Sequence, residues 1–257
     1  MSGDGDSSGA LRLDIVGAGP AYSDRPGATG AAYLVRHEAT AILLDLGQGA
    51  FPRLAGLIDP GTLDAVLVSH LHPDHFIDLV PLRHFLRWGP GHPRHVRVAG
   101  PGGLGDRIDA LHAEPGFTRA ALDLEALEPG PMRIGSIAVQ VARVTHAAES
   151  FGFRLTAGDG PGLVYSGDCG RAEDLDPVVR PGDVLLSEVS FGPGPVPADA
   201  AHLDGPAVGS LAARTGAGRV LLTHLLMGHD ESETLTSTQA VFGGPVALVQ
   251  PGDRFFV

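Results

Sequence analysis

Lysine is absent, cysteine occurs once, and nowhere in the 257 residues does an apolar stretch approach the roughly 18 positions that a membrane helix needs. The single cysteine, Cys169, excludes an internal disulfide and a thiolate metal cluster, so any metal site must be built from His and carboxylates. All 18 basic residues are Arg against 30 acidic ones, and the net charge of -12 excludes a protein that coats nucleic acid through its general surface. A local phosphate site stays open. The stretch from Met1 to Ala10 is small and acidic rather than basic and apolar, unlike an export signal. The expectation is a soluble, cytoplasmic protein with residues 1–10 disordered and residues 11–257 forming one α/β domain.

What is present is a series of short apolar runs separated by Gly, Pro and Asp. Leu11 to Val16, Ala31 to Val35, Thr40 to Leu44 and Ala65 to Ser69 read as strands in the first half. His75 to Trp88 then places Phe76, Leu79, Val80, Leu82, Phe85 and Leu86 at helical spacing, ended by Gly89-Pro90. In the second half, strands are expected at Ile137 to Thr145, Phe151 to Thr156, Gly162 to Ser166, Val184 to Ser187 and Arg219 to Thr223, with a helix around Asp204 to Arg214. The proline-rich Gly192 to Pro197 reads as a surface loop.

Five of these runs share a local form, an apolar strand ending in or near Ser or Thr and followed by a residue able to bind metal or move a proton. They are VLVSH (His70), ARVTH (His146), VYSGD (Asp168), VLLSE (Glu188) and LLTH (His224). Strand ends at one rim of a rigid sheet are where side chains from distant sequence converge. The densest cluster is His70-Leu71-His72-Pro73-Asp74-His75, a tight loop between strand and helix. Imidazole and carboxylate donors suit two divalent metal ions, Zn2+ before Mn2+ or Fe2+. Two divalent cations set against Asp74, Asp168 and one hydroxide leave a site of roughly +1, suited to an anionic substrate and to hydroxide attack.

The pattern HxHxDH, a distant His, an SGD-type Asp and a late His after a strand resembles the metallo-β-lactamase superfamily, over nearly the whole chain from Leu13 to Phe256. That resemblance implies a four-layer αββα sandwich. It implies one ion on His70, His72 and His146, another on Asp74, His75 and His224, and Asp168 bridging. Tyr165-Ser166-Gly167-Asp168, Ser187-Glu188-Val189-Ser190-Phe191 and Ala201-His202-Leu203 resemble the ribonuclease Z-like branch, which holds tRNA 3′-processing endonucleases and class II-like cyclic-nucleotide phosphodiesterases. The likeness casts His202 as proton donor to the leaving oxygen, oriented by Glu188, with Asp74 also in the catalytic set.

This chain departs from the endonucleases of that branch. Their tRNA-gripping arm lies between the third metal His and the bridging Asp, and here only Ala147 to Gly167 separate His146 from Asp168. The reading is therefore a phosphodiesterase for small, nucleotide-type diesters, with no membrane partner and nucleic acid disfavoured. The rivals are a tRNA-processing endoribonuclease, a lactonase, thioesterase or aryl esterase on the same metal core, and a non-catalytic metal-binding protein. Cys169 stands where many relatives carry Thr and is expected to be inert. The segment Arg83 to Arg97, with His84, Arg87, His92, Arg94 and His95, offers a basic face for phosphate or, more readily, a solvated face or the contact of a homodimer.

Overall fold

The computed structural model describes residues 9–91 and 93–257; residues 1–8 of the expected disordered start, and His92, lie outside the described residues. Two seven-stranded sheets face each other. The first contains β1 (Arg12–Gly17), β2 (Ala32–His37), β3 (Thr40–Leu44), β4 (Ala65–Leu67), β5 (Val96–Gly100), β6 (Leu122–Ala126) and, at its edge, the chain's last strand, β14 (Arg254–Phe256). The second contains β7 (Gly130–Ile134), β8 (Ile137–Arg143), β9 (Phe151–Thr156), β10 (Leu163–Tyr165), β11 (Val184–Glu188), β12 (Arg219–Thr223) and β13 (Val246–Leu248). The orders are β14-β1-β2-β3-β4-β5-β6 and β13-β12-β11-β10-β9-β8-β7. In each sheet a parallel half (β3 to β6, β10 to β13) adjoins an antiparallel one.

Alternate residues of one strand enter different apolar layers, which is why these strands read as continuous hydrophobic runs. Tyr33, Ile42 and Leu44 point between the sheets, against Val141, Phe153, Tyr165 and Leu186, whereas Leu34 and Leu43 point outward. The outward layer of the first sheet is closed by α1 (Phe51–Leu57), α3 (Leu79–Trp88) and α4 (Leu104–His112) through Leu54, Leu82, Leu86 and Ile108. That of the second is closed by α5 (Gly205–Thr215) and α6 (Glu231–Phe242) through Val208, Leu211 and Leu235. The expected four-layer αββα sandwich is the architecture found. Among the described residues no helix is long and apolar enough to cross a membrane.

The single helix expected over His75 to Trp88 is two: α2 (Pro73–Phe76) and α3. Leu46, just beyond β3, donates its N–H to the His75 carbonyl at 2.8 Å and accepts the Asp78 N–H at 3.0 Å, so the backbone between them pairs sideways instead of continuing the helix. Asp78 then turns its carboxylate to the Phe51 N–H, 2.8 Å away, at the start of α1. This break holds Asp74 and His75 against the sheet end.

Candidate metal centre

The ends of β3, β4, β8, β10, β11 and β12 meet at one rim of the sandwich: His70 and His72 follow β4, Asp74 and His75 lie in α2, His146 follows β8, Asp168 follows β10, Glu188 closes β11 and His224 follows β12. Glycines permit the closest approaches: a Cβ on Gly47 would fall 1.8 Å from the Asp74 carbonyl, and one on Gly167, whose φ is +57°, 2.7 Å from the Phe151 carbonyl. The Phe151 N–H donates to the Ser69 carbonyl at 2.9 Å, tying the two sheets together at the rim.

His70, His72, His146 and Asp168 present ligand atoms that all lie within 4.8 Å of one another, and so do Asp74, His75 and His224. Asp168 spans the two groups. Its Oδ2 lies 3.7 Å from both His70 Nε2 and His146 Nε2, and its Oδ1 lies 3.3 Å from His75 Nε2 and 3.6 Å from His224 Nε2. Asp74 Oδ2 is 3.1 Å from His224 Nε2, and His146 Nε2 is 3.1 Å from His72 Nδ1.

Backbone and side-chain acceptors set which ring nitrogen faces inward. His146 Nδ1 donates to the Ala201 carbonyl at 2.7 Å and His75 Nδ1 to Asp45 Oδ2 at 2.7 Å, leaving each Nε2 lone pair turned toward Asp168. His70 Nε2 and Asp168 Oδ1 are buried with no hydrogen-bond partner. An imidazole nitrogen and a carboxylate oxygen buried without partners where the other donors meet are what a cation relieves, so this donor set fits two divalent ions.

The electrostatics point the same way. Burial, with His75 close by, pushes His70 well below the usual imidazole range. Burial also opposes charge on His75 and His224, but Asp168 outweighs it, helped by Asp45 at His75 and by Asp74 at His224, and holds both above that range. Asp168 in turn sits well below the carboxylate range despite burial, because His224 and His75 stabilise its charge. Proton and cation compete for this space, since ligation requires neutral imidazole and metal uptake releases protons.

Beside the metal groups stands the predicted proton pair. His202 Nδ1 lies 2.9 Å from Glu188 Oε1 and 3.9 Å from Asp168 Oδ2. Although burial opposes it, the Glu188 carboxylate raises the His202 pKa. Glu188 is fixed by the N–H groups of Cys169 (2.9 Å) and Ser190 (3.0 Å) and by the Ser190 hydroxyl (2.5 Å). Ser190 Oγ is also 3.1 Å from His202 Nδ1 and 3.1 Å from His224 Nδ1, so one hydroxyl touches both the proton pair and the second metal group.

Sequence reasoning missed Ser190 and Asp45. Asp45 is wholly buried with φ +58° and accepts from Ser69 N–H (2.6 Å), Ser69 Oγ (2.8 Å), His75 Nδ1 (2.7 Å) and Tyr165 Oη (2.7 Å). AILLD has the same strand-then-carboxylate form as the five segments, and only the missing Ser or Thr hid it. His224, also at positive φ (+59°), takes a backbone conformation uncommon for residues with a Cβ.

Of the two readings of the segment from Arg83 to Arg97, the phosphate-binding one loses most of its charge to local pairing, and the solvated face stays open. Arg83 is buried with its guanidinium 3.7 Å from the centre of the Phe117 ring, donating to the Phe117 carbonyl at 2.7 Å. Arg94 pairs with Asp59, His95 with Asp123 and Arg97 with Glu125, at 2.7 to 2.9 Å. Val96 and Val98 belong to β5. Local partners meet the charges of Arg94, His95 and Arg97. Cys169 is buried, with its thiol pushed up to about 12 by burial, and donates to the Arg171 carbonyl instead of facing the metal groups.

Residues 41–225 match the model of a β-lactamase superfamily domain. The chain is 32% identical over 252 residues to the uncharacterized protein ML1173 of Mycobacterium leprae, covering 95% of this chain and 88% of that protein. It is 26% identical to the probable metallo-hydrolase YhfI of Bacillus subtilis (94% and 98% covered), whose crystal structure superposes with a TM-score of 0.86 at 22% identity over 96% of this chain and 100% of that one. It is 27% identical to ribonuclease Z of Mycobacterium marinum (93% and 95% covered). A structure described as a new diphosphatase from the PhnP family superposes with a TM-score of 0.73 at 17% identity, covering 95% and 97%.

Proposed function

Because this chain belongs to the metallo-β-lactamase superfamily, on its ribonuclease Z-like side, we propose that it is a two-metal phosphodiesterase for small, nucleotide-type diesters, cyclic ones included. The observation that carries the reading is the His202–Glu188 pair, 2.9 Å apart and 3.9 Å from the bridging Asp168. An alkoxide departing from a phosphodiester needs a proton, and a carboxylate beside an imidazole raises its pKa and so favours the protonated ring.

In this reading His70, His72, His146 and Asp168 hold one divalent ion, and Asp74, His75, His224 and Asp168 the other, zinc being favoured by the His-rich set. Such a pair, when bound, supplies charge stabilisation to phosphoryl oxygens and makes water acidic enough to attack near neutral pH. Asp45 keeps His75 Nδ1 protonated, so that Nε2 serves as ligand. The Ala201 carbonyl does the same for His146. His202 gives its proton to the leaving oxygen while Glu188 holds the resulting ring in place.

The connection from His146 to Asp168 bears on substrate size. β9 and β10 pair directly, Phe153 opposite Tyr165 and Leu155 opposite Leu163, with a short turn between them. This leaves no arm to grip a tRNA, which favours a small diester over a structured RNA.

The test is a substrate panel on the purified protein loaded separately with Zn2+ and Mn2+: bis-p-nitrophenyl phosphate, cyclic nucleotides, a precursor tRNA and a lactone series. Turnover of the diesters with inactivity on lactones is expected. Lactone turnover with inert diesters, or cleavage of precursor tRNA alone, would overturn the proposal.

A further inference from the structure

Beside the first metal group opens a cleft of about 240 Å³, lined by His72 and Leu71, by Gly102, Gly103 and Arg107 at the start of α4, and by Ala147, Ala148 and Glu149. Its volume lies below the roughly 300 Å³ at which pockets for drug-sized ligands begin, so it suits one small group and not a polymer. Gly102, Gly103, Ala147 and Ala148, with little or no side chain, form its floor. A methyl built on Gly103 would meet nothing within 4 Å.

Two charged side chains flank that floor. Arg107 reaches the Leu71 carbonyl only at 3.4 Å, which leaves a planar, exposed guanidinium beside His72. Glu149 accepts the Gly102 N–H at 2.7 Å on Oε2, and its Oε1 has Arg143 at 3.7 Å. A carboxylate has about four acceptor positions, so Glu149 keeps room for a further donor. A flat heteroaromatic ring fits these features: guanidinium planes stack on such rings, and carboxylates accept from exocyclic amines.

We propose that this cleft is the base subsite of the diesterase, with Arg107 stacking on the nucleobase and Glu149 selecting a base that carries an exocyclic amine. The assignment rests on the diesterase reading above. It makes Arg107 and Glu149 specificity residues that contact the non-reacting part of the substrate. Neither belongs to the metal groups.

Adenosine and inosine forms of the same cyclic diester differ at the base position Glu149 would read, an amine in one and a carbonyl in the other. Steady-state kinetics of the metal-loaded enzyme should show kcat/KM at least fivefold higher for the adenosine form. Glu149→Gln keeps an acceptor for the Gly102 N–H but adds a donor, and should shift the preference toward inosine. Arg107→Ala should raise KM about tenfold for both forms with kcat within twofold, and the inhibition constant of the nucleoside monophosphate should rise in parallel while that of inorganic phosphate stays put. A wild type indifferent to the amine, or an Arg107→Ala enzyme with unchanged KM, overturns the subsite while leaving the diesterase reading intact. Failure of the wild type on every diester, bis-p-nitrophenyl phosphate included, overturns both.

Discussion

Replacing Asp45 by Asn tests whether a residue that touches no metal group's inner face controls the second of them. All four groups around Asp45 are donors: the Ser69 N–H, the Ser69 hydroxyl, the Tyr165 hydroxyl and His75 Nδ1. An Asn carboxamide keeps one acceptor and introduces two N–H bonds. Its oxygen must stay on the Ser69 N–H, which cannot rotate, so its NH2 faces Ser69 Oγ, Tyr165 Oη and His75 Nδ1. The hydroxyls can turn to accept, and His75 can accept only by moving its proton to Nε2, the atom 3.3 Å from Asp168 Oδ1. A protonated Nε2 cannot bind a cation. Loss of an outer partner of this kind typically costs 10- to 100-fold in metal affinity, about 1.4 to 2.7 kcal/mol, and a buried donor left unpaired costs about 1 to 3 kcal/mol of stability. Calorimetric titration of the apo-protein with Zn2+, alongside metal content by mass spectrometry, should show the second binding event weakened by that factor and the first nearly unchanged. Circular dichroism melts would confirm the fold. Two binding events within twofold of wild type would refute the tautomer reasoning.

The proton pair gives a pH test. Glu188 raises the His202 pKa, so Glu188→Gln should lower it and move the basic limb of the kcat profile to lower pH, while His202→Ala should slow poor leaving groups by about 10²- to 10⁴-fold and p-nitrophenolate esters far less. Ser190→Ala should weaken both the second metal ion and the proton pair, with Ser190→Thr restoring them, as read by Zn2+ titration and by kcat on an alkyl diester. Chelation should abolish diesterase turnover and lower Tm, each recovering when Zn2+ is returned. Cys169, with its thiol held protonated below about pH 12, should resist iodoacetamide at pH 8 in the folded protein and react once denatured, which a mass-shift assay reads directly. Arg83→Met should lower stability by about 1 to 3 kcal/mol through the lost Phe117 carbonyl contact, without changing inhibition by inorganic phosphate.

Much of the architecture was legible because each strand end carries its own local signature. VLVSH and the His-rich run after it stood out alone, and that cluster gave VYSGD and LLTH, weak in isolation, their meaning; the fold brings His70, Asp168 and His224 to one rim. The features that escaped depend on contacts between distant residues. No periodicity reveals that Leu46 pairs with the backbone at His75 and Asp78, so the two helices looked like one. The charges from Arg94 to Arg97 looked free because Asp59, Asp123 and Glu125, which meet them, lie at least 28 positions away in sequence. Asp45 had a local strand-then-carboxylate form, but its role shows only through Ser69, His75 and Tyr165, each 24 or more positions away.

The bridging position of Asp168 also has a mechanical meaning. His70, His72, Asp74 and His75 leave the first sheet, whereas His146, Asp168 and His224 leave the second, so each metal group draws donors from both sides of the sandwich. An ion bound in either group would act as a rivet through the two halves of the molecule. Loosening the inter-sheet core beneath the rim, for instance at Phe153 or Ile42, would therefore be expected to register as weaker metal retention before any ligand was altered. Conversely, metal supply would set how firmly the halves stay shut, since an ion that binds only the folded chain stabilises it more as its concentration rises.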